Sequence, residues 1–455
     1  MIAIVVPKLG GGVQRHATEM AQAFGAQGDL VVLILQAGKI NQVTLLQGSE
    51  RSPVYDYFQP AQNEQLVDLL KALKVNYIHY HHLLGLSEFL KNLWKDLDAQ
   101  YSVTLHDYYW ICPRVQLVDK DYHYCGVPQD SAECTKCMNL QTDWIQYFHQ
   151  VKTIPIDAYR KRNLEFLKKA DRVFIPDEDL RARINKVFPS IQLTVFPNPE
   201  VAKVPEVKPY LAAKTNDMPI RIGVLGVISK VKGEQQLIDL AALIDREKKP
   251  IRLVLFGELA SQKRCSFDSL VVKGRYEEHE IYGLIQREQI DYFWFPSICP
   301  ETYSYTLSIP VRLNIPVLGT NLGAIGRRIV DNGWGEVYPY EFDAESICKR
   351  MLEFPFDMYR KKQMSLTNTV FPSPFSLYGI EKVRREEVNL LGVVKALSRN
   401  SSELVERIQS TKLKGMEIRT LLGQRLSWLA KVQLLAKTDP LWVLQKVAKL
   451  FSRSM

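Results

Sequence analysis

The sequence predicts an α/β protein built from two parallel-sheet domains in tandem. Near-continuous apolar runs alternate with helix-like segments in both halves of the chain, and such runs are typical of strands buried on both faces. A Pro- and Lys-rich stretch without periodicity, residues 198–219, separates the two series and predicts a linker. The chain has 455 residues, of which 46% are hydrophobic and 24% charged, as in soluble globular proteins of about two or three domains.

Each predicted domain has its own series of strands. The first series begins strands at Ile2, Leu30, Asn76, Gln100, Asp171 and Leu193. The second series begins strands at Ile220, Ile251, Ser269, Asp291 and Ile315. We therefore predict domains over residues 1–197 and 220–375, with a Cys-rich insert at 112–137 and a basic helical tail at 393–455.

The N-terminus, the cysteines and the charge bear on where the chain resides. The apolar run Ile2–Val6 has only five residues, too few for a signal peptide or a membrane span, so we expect the mature chain to begin at Met1. Seven cysteines without an export signal predict a reducing cytoplasm. The tail carries twelve basic and four acidic side chains in a chain of net charge +9, so the basicity belongs to the tail.

Residues that suit ligand binding follow the predicted strands, at the sheet edge where such domains bind ligands. Gly10–Gly12 follow the first strand and open a helix, so their amides could approach an anionic ligand. A plain tight turn is an equally good explanation of these glycines. His106 ends a buried strand, where it either contacts a substrate hydroxyl or caps the loop.

Lys232 and Glu301 are the charged candidates of the second half. Lys232 stands just before a predicted helix, where its ammonium either neutralises a phosphate or simply lies on the surface. Glu301 follows a buried strand among Tyr, Ser and Thr residues, and a carboxylate there can accept hydrogen bonds from sugar hydroxyls. We predict a helix beginning near Tyr303 or Ser304, whose first amides would suit a diphosphate.

Together these stretches resemble the retaining nucleotide-sugar glycosyltransferases of family 4, which have the GT-B fold of two Rossmann-like domains facing a cleft. The resemblance spans residues 1–391 and is closest to bacterial surface-polysaccharide enzymes. Its motifs are GGGVQRH, LHDYYWICPR, VLGVISKVKG, VKGRY and PETYSYTLS followed by IPVLGTNLGAI. It also implies that residues 376–392 form a helix that crosses back to the first domain.

The resemblance implies a role for each candidate residue. A nucleotide diphosphate-sugar donor would lie mainly on the second domain and the acceptor mainly on the first. Lys232 would bind the diphosphate, Glu301 would hold hydroxyls of the donor sugar, and His106 would contact that sugar, so these three are the expected catalytic residues. The other expected donor contacts are Gly11, Gly12, Gly233, Gly274, Arg275, Tyr276, Tyr303 and Ser304. Catalysis would need no metal or other cofactor, because stabilising charge on the leaving diphosphate carries the reaction.

The sequence also departs from the family pattern. The second acid of the family's E-x7-E motif falls on Ile309, and Pro310 follows inside the predicted helix, where it would kink the element. The arginine that precedes the diphosphate lysine is replaced by Val227 or Ile228 in its region. These changes support an alternative, a catalytically degenerate GT-B subunit that scaffolds a membrane polysaccharide assembly. A GT-B epimerase would need clearer acid–base carboxylates.

The polar insert predicts a structural zinc site. One C-x2-C pair and two further cysteines are a typical zinc ligand set in a cytosolic protein. The expected ligands are Cys112, Cys125, Cys134 and Cys137. Separate buried thiols are the alternative.

The tail predicts contact with an anionic membrane surface. Its last segment, TDPLWVLQKVAKLFSRSM, predicts a basic amphipathic helix with a Trp. The alternative is a helical hairpin packed on the body of the protein. The segment has no recognised nucleic-acid-binding motif. The leading hypothesis is a cytoplasmic transferase peripheral to the inner face of the plasma membrane. It would move a sugar of hexosyl type, with retention, to a lipid-linked or oligosaccharide acceptor in bacterial polysaccharide, lipopolysaccharide or O-antigen synthesis.

Overall fold

The computed structural model describes residues 1–48, 50–52, 54–139, 155–196, 198, 218–261 and 266–360. These residues form two compact units. The first comprises Met1–His106 and Lys169–Phe174, and the second comprises Asp107–Lys168 and the described residues from Ile175 onward. The predicted domain boundaries stay a prediction.

The first unit is built on a mixed sheet. Its strands are β1 (Ile2–Pro7), β2 (Val31–Ala37), β3 (Ile40–Gln47), β4 (Glu50–Arg51), β5 (Tyr55–Phe58), β6 (Tyr77–Tyr80), β7 (Gln100–Thr104) and β8 (Arg172–Ile175). They follow the order β4-β3-β2-β1-β6-β7-β8, and β5 pairs with β3. All six residues of β1 are buried, as the apolar run predicts. The neighbouring strands β2 and β1, β1 and β6, β6 and β7, and β7 and β8 pair in parallel.

Three helices accompany this sheet. They are α1 (Gly11–Ala26), α2 (Asn63–Ala72) and α3 (Glu88–Asp96). The buried residues of α1 recur at spacings of three and four, as in Ala17, Met20, Ala21 and Phe24, which puts one apolar stripe on the core. α3 begins where Ser87 Oγ accepts a hydrogen bond from the backbone N–H of Leu90 at 3.3 Å.

The second unit contains an all-parallel sheet. Its strands are β10 (Ile220–Ile228), β11 (Ile251–Leu259), β12 (Leu270–Val272), β13 (Tyr292–Phe295), β14 (Val317–Thr320) and β15 (Gly335–Tyr338), and β9 (Leu193–Val195) precedes them in the chain. The order is β12-β11-β10-β13-β14-β15. Alternate residues of β13 enter two different apolar clusters, Trp294 in one and Phe293 and Phe295 in the other, because successive side chains of a strand point to opposite faces.

The second unit also contains the remaining helices. They are α4 (Ser131–Asn139), α5 (Ile156–Lys169), α6 (Glu178–Asn185), α7 (Glu234–Glu247), α8 (Ile281–Glu288), α9 (Ser308–Arg312), α10 (Gly323–Asn332), α11 (Ala344–Glu353) and α12 (Phe356–Arg360). The last residue of α5, Lys169, lies in the first unit.

The structure confirms the predicted α/β class and corrects two details. The first sheet is not purely parallel, because β3 runs antiparallel to β2, β4 and β5. The helix predicted near Tyr303 begins instead at Ser308 and is five residues long. Pro310 is thus the third residue of that helix, and the first four N–H groups of a helix lack intrahelical partners in any case. The expectation that Pro310 kinks the element was therefore wrong.

Several predictions concern residues that the structure does not describe. The crossing-back helix at 376–392, the basic tail at 393–455 and most of the linker at 198–219 lie outside the described residues. Within the described ranges, no helix combines the length and the apolar character needed to cross a bilayer.

Candidate functional site

Lys232 and Glu301 meet at the carboxyl edge of the second sheet. Lys232 lies in a single 3-10 turn, Lys230–Lys232, directly after β10, and Glu301 lies in the loop after β13. These two strands are neighbours, and the chain connections leave them in opposite directions. Ligands of doubly wound sheets bind at such a switch point. The sequence-predicted pair therefore sits where this sheet offers a crevice.

The two side chains form an ion pair that solvent can still reach. Lys232 Nζ lies 3.4 Å from Glu301 Oε2, and the side chains are 42% and 17% exposed. The Glu301 carboxylate raises the pKa of Lys232 above its usual value, against the opposing effect of burial. The ammonium is therefore charged at neutral pH and accessible to an anionic ligand.

Gly233 fixes the Lys232 turn against the β13 loop. Its φ is 86°, and a Cβ at this position would lie 2.4 Å from the carbonyl oxygen of Pro296. The backbone N–H of Ile298 donates to the carbonyl of Val231 at 3.0 Å. The loops that carry the two charges are thus locked together by backbone contacts, which only glycine allows at this point.

The Glu301 loop is held on its other side by α10. The backbone N–H of Ala324 donates to the carbonyl of Glu301 at 2.7 Å. Gly323, with φ 71°, allows this approach, because a Cβ there would lie 2.7 Å from Glu301 N. Both sequence motifs, PET and NLGAI, therefore form one packed structure.

Arg328 of α10 organises the part of the loop that contains Tyr303 and Ser304. Its guanidinium donates to the carbonyls of Tyr303 and Ser304 at 3.2 and 3.0 Å and to Ser308 Oγ at 3.2 Å. It also lies 4.3 Å from the Tyr303 ring centroid. Arg328 could not be predicted as a site residue, because a basic residue in a helix is expected on the surface until the loop that packs on it is known.

We expect Arg328→Met to destabilise the loop. The variant would leave two part-buried carbonyls without their donor. A hydrogen bond from a charged donor contributes about 1.5–3 kcal/mol, so the free energy of unfolding should fall by about 1.5–3 kcal/mol. Urea unfolding measures this loss, and Arg287→Met, at an exposed arginine of α8, is the control. Equal stability of the two variants would contradict the role of Arg328.

Tyr303 and Ser304 are loop residues rather than the start of a helix. Tyr303 Oη donates to the carbonyl of Asn198 at 3.1 Å, and Ser304 adopts φ 81° while its Oγ lies 3.0 Å from Thr306 Oγ1. Ile309, at the position of the second motif acid, is 7% exposed and belongs to an apolar cluster. That position is part of the core and has no polar role.

The GRY segment lies at the ends of neighbouring strands. Gly274, with φ 80°, forms a bridge with Gly257. Arg275 is 77% exposed and donates to Glu258 Oε1 through Nε at 3.0 Å and Nη2 at 2.6 Å. Tyr276 packs against an apolar cluster. Arg275 thus has a carboxylate partner within its own unit, and the expected contact with the nucleotide stays a prediction.

His106, Gly11 and Gly12 lie in the first unit. Gly11 and Gly12 form the first turn of α1 and are exposed, and nothing lies within 4 Å of a Cβ at Gly11. His106 follows β7, is 8% exposed, and its Nε2 lies 2.9 Å from Nδ1 of His81. The glycine turn is therefore open to a ligand, and His106 is held by a second histidine.

The four predicted zinc ligands are free thiols in one neighbourhood. None of Cys112, Cys125, Cys134 and Cys137 forms a disulfide, and burial raises the pKa of Cys112 to about 12, with the other three cysteines adding to the effect. Cys134 Sγ accepts a hydrogen bond from Arg160 at 3.3 Å. The soft donor set suits Zn²⁺, but among the described residues the cysteines do not gather three sulfurs within 4.8 Å of one another. The zinc site stays a prediction.

Comparisons with known proteins agree with this architecture. Residues 10–199 match the family model described as Glycosyltransferase Family 4. A sucrose-phosphate synthase from Thermosynechococcus elongatus is 13% identical, with a TM-score of 0.50 over 90% of this chain and 100% of that one. A glycosyltransferase from Rickettsia africae is 15% identical, with a TM-score of 0.48 over 93% and 99%, and the lipopolysaccharide outer core galactosyltransferase WaaB is 10% identical, with 0.47 over 88% and 100%. A search of curated proteins found no significant match.

At 13% identity, the likeness to the sucrose-phosphate synthase shows the fold alone, which is the GT-B fold. The family 4 model covers residues 10–199, less than half of the chain, so the chain is similar to that family over this part.

Proposed function

We propose that the protein is a retaining glycosyltransferase whose donor is a nucleotide diphosphate-sugar. The observation that carries the proposal is the Lys232–Glu301 pair at the junction of β10 and β13. A cation for the diphosphate and a carboxylate for sugar hydroxyls are the two recognition elements that such a donor needs. They lie side by side, as the two halves of one donor molecule do.

The donor diphosphate would bind at the Lys232 turn. α7, a helix of 14 residues, begins at Glu234, immediately after this turn. The positive end of its dipole therefore adds to the positive charge of the Lys232 ammonium. Glu301 would then accept hydrogen bonds from the sugar. Gly233, Gly274, Arg275, Tyr276, Tyr303 and Ser304 complete the proposed donor contacts of the second unit.

The reaction needs charge stabilisation rather than a side-chain nucleophile. The bond between the anomeric carbon and the diphosphate oxygen breaks, and its electron pair leaves with the diphosphate. The acceptor hydroxyl attacks the same face of the sugar, and the departing phosphate oxygen takes its proton, so the configuration is retained. Lys232 neutralises the leaving group without a metal, and His106, Gly11 and Gly12 would contact the donor sugar.

The acceptor that we propose is a lipid-linked or oligosaccharide glycan of bacterial surface-polysaccharide or O-antigen synthesis. The sequence feature that supports it is the basic tail, since a lipid-linked acceptor requires the enzyme to work at the inner face of the plasma membrane. Each basic residue near an anionic bilayer contributes about 1 kcal/mol of binding.

Deletion of residues 393–455 should release the protein from anionic vesicles. The deletion removes twelve basic side chains, so cosedimentation with vesicles containing phosphatidylglycerol should be lost, whereas neutral phosphatidylcholine vesicles should bind neither form. Retained sedimentation of the truncated chain with anionic vesicles would contradict a membrane role for the tail.

A non-catalytic scaffold subunit is the second candidate. The burial of Ile309, 7% exposed, favours it, because this position of the family's polar pattern cannot reach a nucleotide. Of the two residues in the region of the missing arginine, neither is polar, Ile228 being 3% and Val227 45% exposed. The Lys232–Glu301 pair is evidence against the scaffold candidate, since a scaffold does not need an accessible cation at the ligand-binding edge of the sheet.

A thermal-shift panel of UDP-, GDP-, dTDP- and CMP-sugars separates the two candidates. Stabilisation by one nucleotide diphosphate-sugar is expected, and its loss in Lys232→Met would locate the binding site. The CMP-sugar, which has a single phosphate, is the matched control and should give no shift. A panel in which no sugar nucleotide stabilises the protein would favour the scaffold.

A further inference from the structure

Three histidines converge at the carboxyl edge of the first sheet. His16 lies on α1, which follows β1, His81 follows β6 directly, and His106 follows β7. β1 pairs with β6, and β6 pairs with β7, so the three side chains come from consecutive positions around the switch point of this sheet. One ring nitrogen from each of the three lies within 4.8 Å of the other two.

The arrangement is deeply buried and short of hydrogen bonds. His16 is 1% exposed and His81 is fully buried. Both ring nitrogens of His16 and Nε2 of His81 are buried and have no hydrogen-bond partner among the residues that the structure describes. A buried nitrogen without a partner is unfavourable, and an apolar residue of similar size would avoid this cost.

A neighbouring histidine shows that this sheet can satisfy a buried imidazole. His79 of β6 is also fully buried, yet its Nδ1 lies 2.7 Å from Ser102 Oγ and its Nε2 lies 2.9 Å from Thr104 Oγ1. His79 therefore fits a purely structural role. His16 lacks such partners among the described residues, and one of its ring nitrogens lies within 4.8 Å of ring nitrogens of His81 and His106.

We propose that His16, His81 and His106 form a binding site for one divalent transition-metal ion of the Zn²⁺ class. The Nδ1 of His81 and the Nε2 of His106 are 2.9 Å apart, a hydrogen-bond distance, and they need to separate only to about 3.3 Å to be two ligands of a tetrahedral ion with metal–nitrogen bonds of about 2.0–2.1 Å. His16 supplies the third nitrogen. A bound ion would coordinate one of the buried ring nitrogens of His16.

The donor set selects the class of ion. Three imidazole nitrogens suit Zn²⁺, Co²⁺, Ni²⁺ and Cu²⁺, whereas Ca²⁺ and Mg²⁺ require oxygen ligands. Burial lowers the pKa of His16 to about 3, so its ring is neutral at physiological pH, which is the form that binds metals. A fourth position on the ion remains for water or another small ligand.

The site shares His106 with the proposed donor contacts, so one consequence rests on the proposed function. An ion on Nε2 keeps the ring proton on Nδ1 and fixes the ring orientation. His106 would then present a defined hydrogen-bond donor to the sugar. The ion itself takes no part in the transfer, and metal binding can be measured without a donor or an acceptor.

A Co²⁺ titration of the chelator-treated full-length chain tests the site. A Cys134→Ser, Cys137→Ser background removes two of the thiolates of the predicted cysteine site, so the near-ultraviolet sulfur-to-cobalt absorption should be absent. One equivalent of Co²⁺ should still give the visible absorption of a nitrogen-bound ion, and Zn²⁺ should displace it. His16→Gln and His81→Gln should each abolish this signal, whereas His279→Ala, at an exposed histidine of the other unit, should leave it unchanged.

X-ray absorption of the Zn²⁺-loaded parent in the same background gives a readout that depends on no histidine variant. Three imidazole nitrogens at about 2.0–2.1 Å are expected. Failure to bind an ion in that background, or unchanged binding in folded His16→Gln, would overturn the proposal and leave a polar cluster that holds water only. Binding of a sugar nucleotide by the metal-free chain would leave the proposed function standing whatever the fate of this site.

Discussion

Lys232→Met should lower kcat/KM by about 10²–10³-fold, the loss that follows the removal of one preorganised charge contact, about 2.7–4 kcal/mol. The reason is that the Lys232 ammonium would neutralise the diphosphate as the sugar–phosphate bond breaks. The free energy of unfolding should change little, because its ion pair with Glu301 is partly exposed, at 42% and 17%, and exposed pairs contribute about 0–1 kcal/mol. Steady-state rates with the donor found in the thermal-shift panel measure the effect.

Lys230→Met is the matched control for this variant. Lys230 lies two residues earlier in the same turn, but its Nζ sits 4.9 Å from the ring centroid of Tyr122. Losing that contact costs about 1 kcal/mol, so kcat/KM should change by less than about tenfold. Equal losses in the two variants would mean that the turn needs positive charge in general and that Lys232 has no particular role.

Glu301→Gln extends the test to the sugar side of the site. The amide retains an acceptor oxygen but lacks the charge that pairs with Lys232, so a smaller loss is expected than in Glu301→Ala. Because the two residues would hold one donor, the double variant Lys232→Met, Glu301→Ala should lose less than the sum of the single losses in free energy. Additive losses would place the residues in separate sites.

Lys232 and Glu301 could be predicted because they follow buried strands. An apolar run of four or more residues fixes the strand, the strand fixes which residue emerges at the carboxyl edge, and residue chemistry then selects the candidate. The same argument found His106 after β7. The apolar runs therefore predict the strands of the sheet and where each strand ends. Most residues of the candidate site follow these strand ends.

Contacts between distant parts of the chain could not be predicted in this way. Arg328 reaches the loop at Tyr303 through hydrogen bonds to carbonyls, which leave no pattern in the sequence. His16 and His81 are 65 positions apart in the sequence and meet only because β1 and β6 are neighbours. The antiparallel strand β3 was not predicted either, since its run NQVTLLQ mixes polar and apolar residues.

The start of α9 shows why a local rule failed. The run from Tyr303 to Ser308 contains hydroxyl residues that suit either a helix cap or a turn. Arg328 binds the carbonyls of this run from outside, and Ser304 adopts a left-handed φ of 81°, so the helix cannot begin before Ser308. Tertiary hydrogen bonds therefore override the local preference. The later start of α9 also places Pro310 in the first turn of the helix, where proline is tolerated.

Gly233→Ala should strongly destabilise the protein at the Lys232 turn. The new Cβ would lie 2.4 Å from the carbonyl oxygen of Pro296, and the residue would have to keep φ at 86°. The left-handed conformation costs about 1–2 kcal/mol for a residue with a Cβ, and forcing an atom into a packed contact adds about 1–3 kcal/mol. We expect the free energy of unfolding to fall by about 2–5 kcal/mol, measured by urea unfolding.

Gly333→Ala separates the two causes of that loss. Gly333 ends α10 with φ 65°, and no atom of the described residues lies within 4 Å of a Cβ there, so this variant should lose only the conformational part, about 1–2 kcal/mol. The difference between the two variants in the free energy of unfolding is the cost of pushing the Lys232 turn away from Pro296. Because that displacement also moves the ammonium relative to Glu301, Gly233→Ala should weaken donor binding as well, whereas Gly333→Ala should bind the donor as the parent does. If the two variants were equally stable, the turn would not be packed against the β13 loop, and the preorganisation of the Lys232–Glu301 pair would have no structural basis.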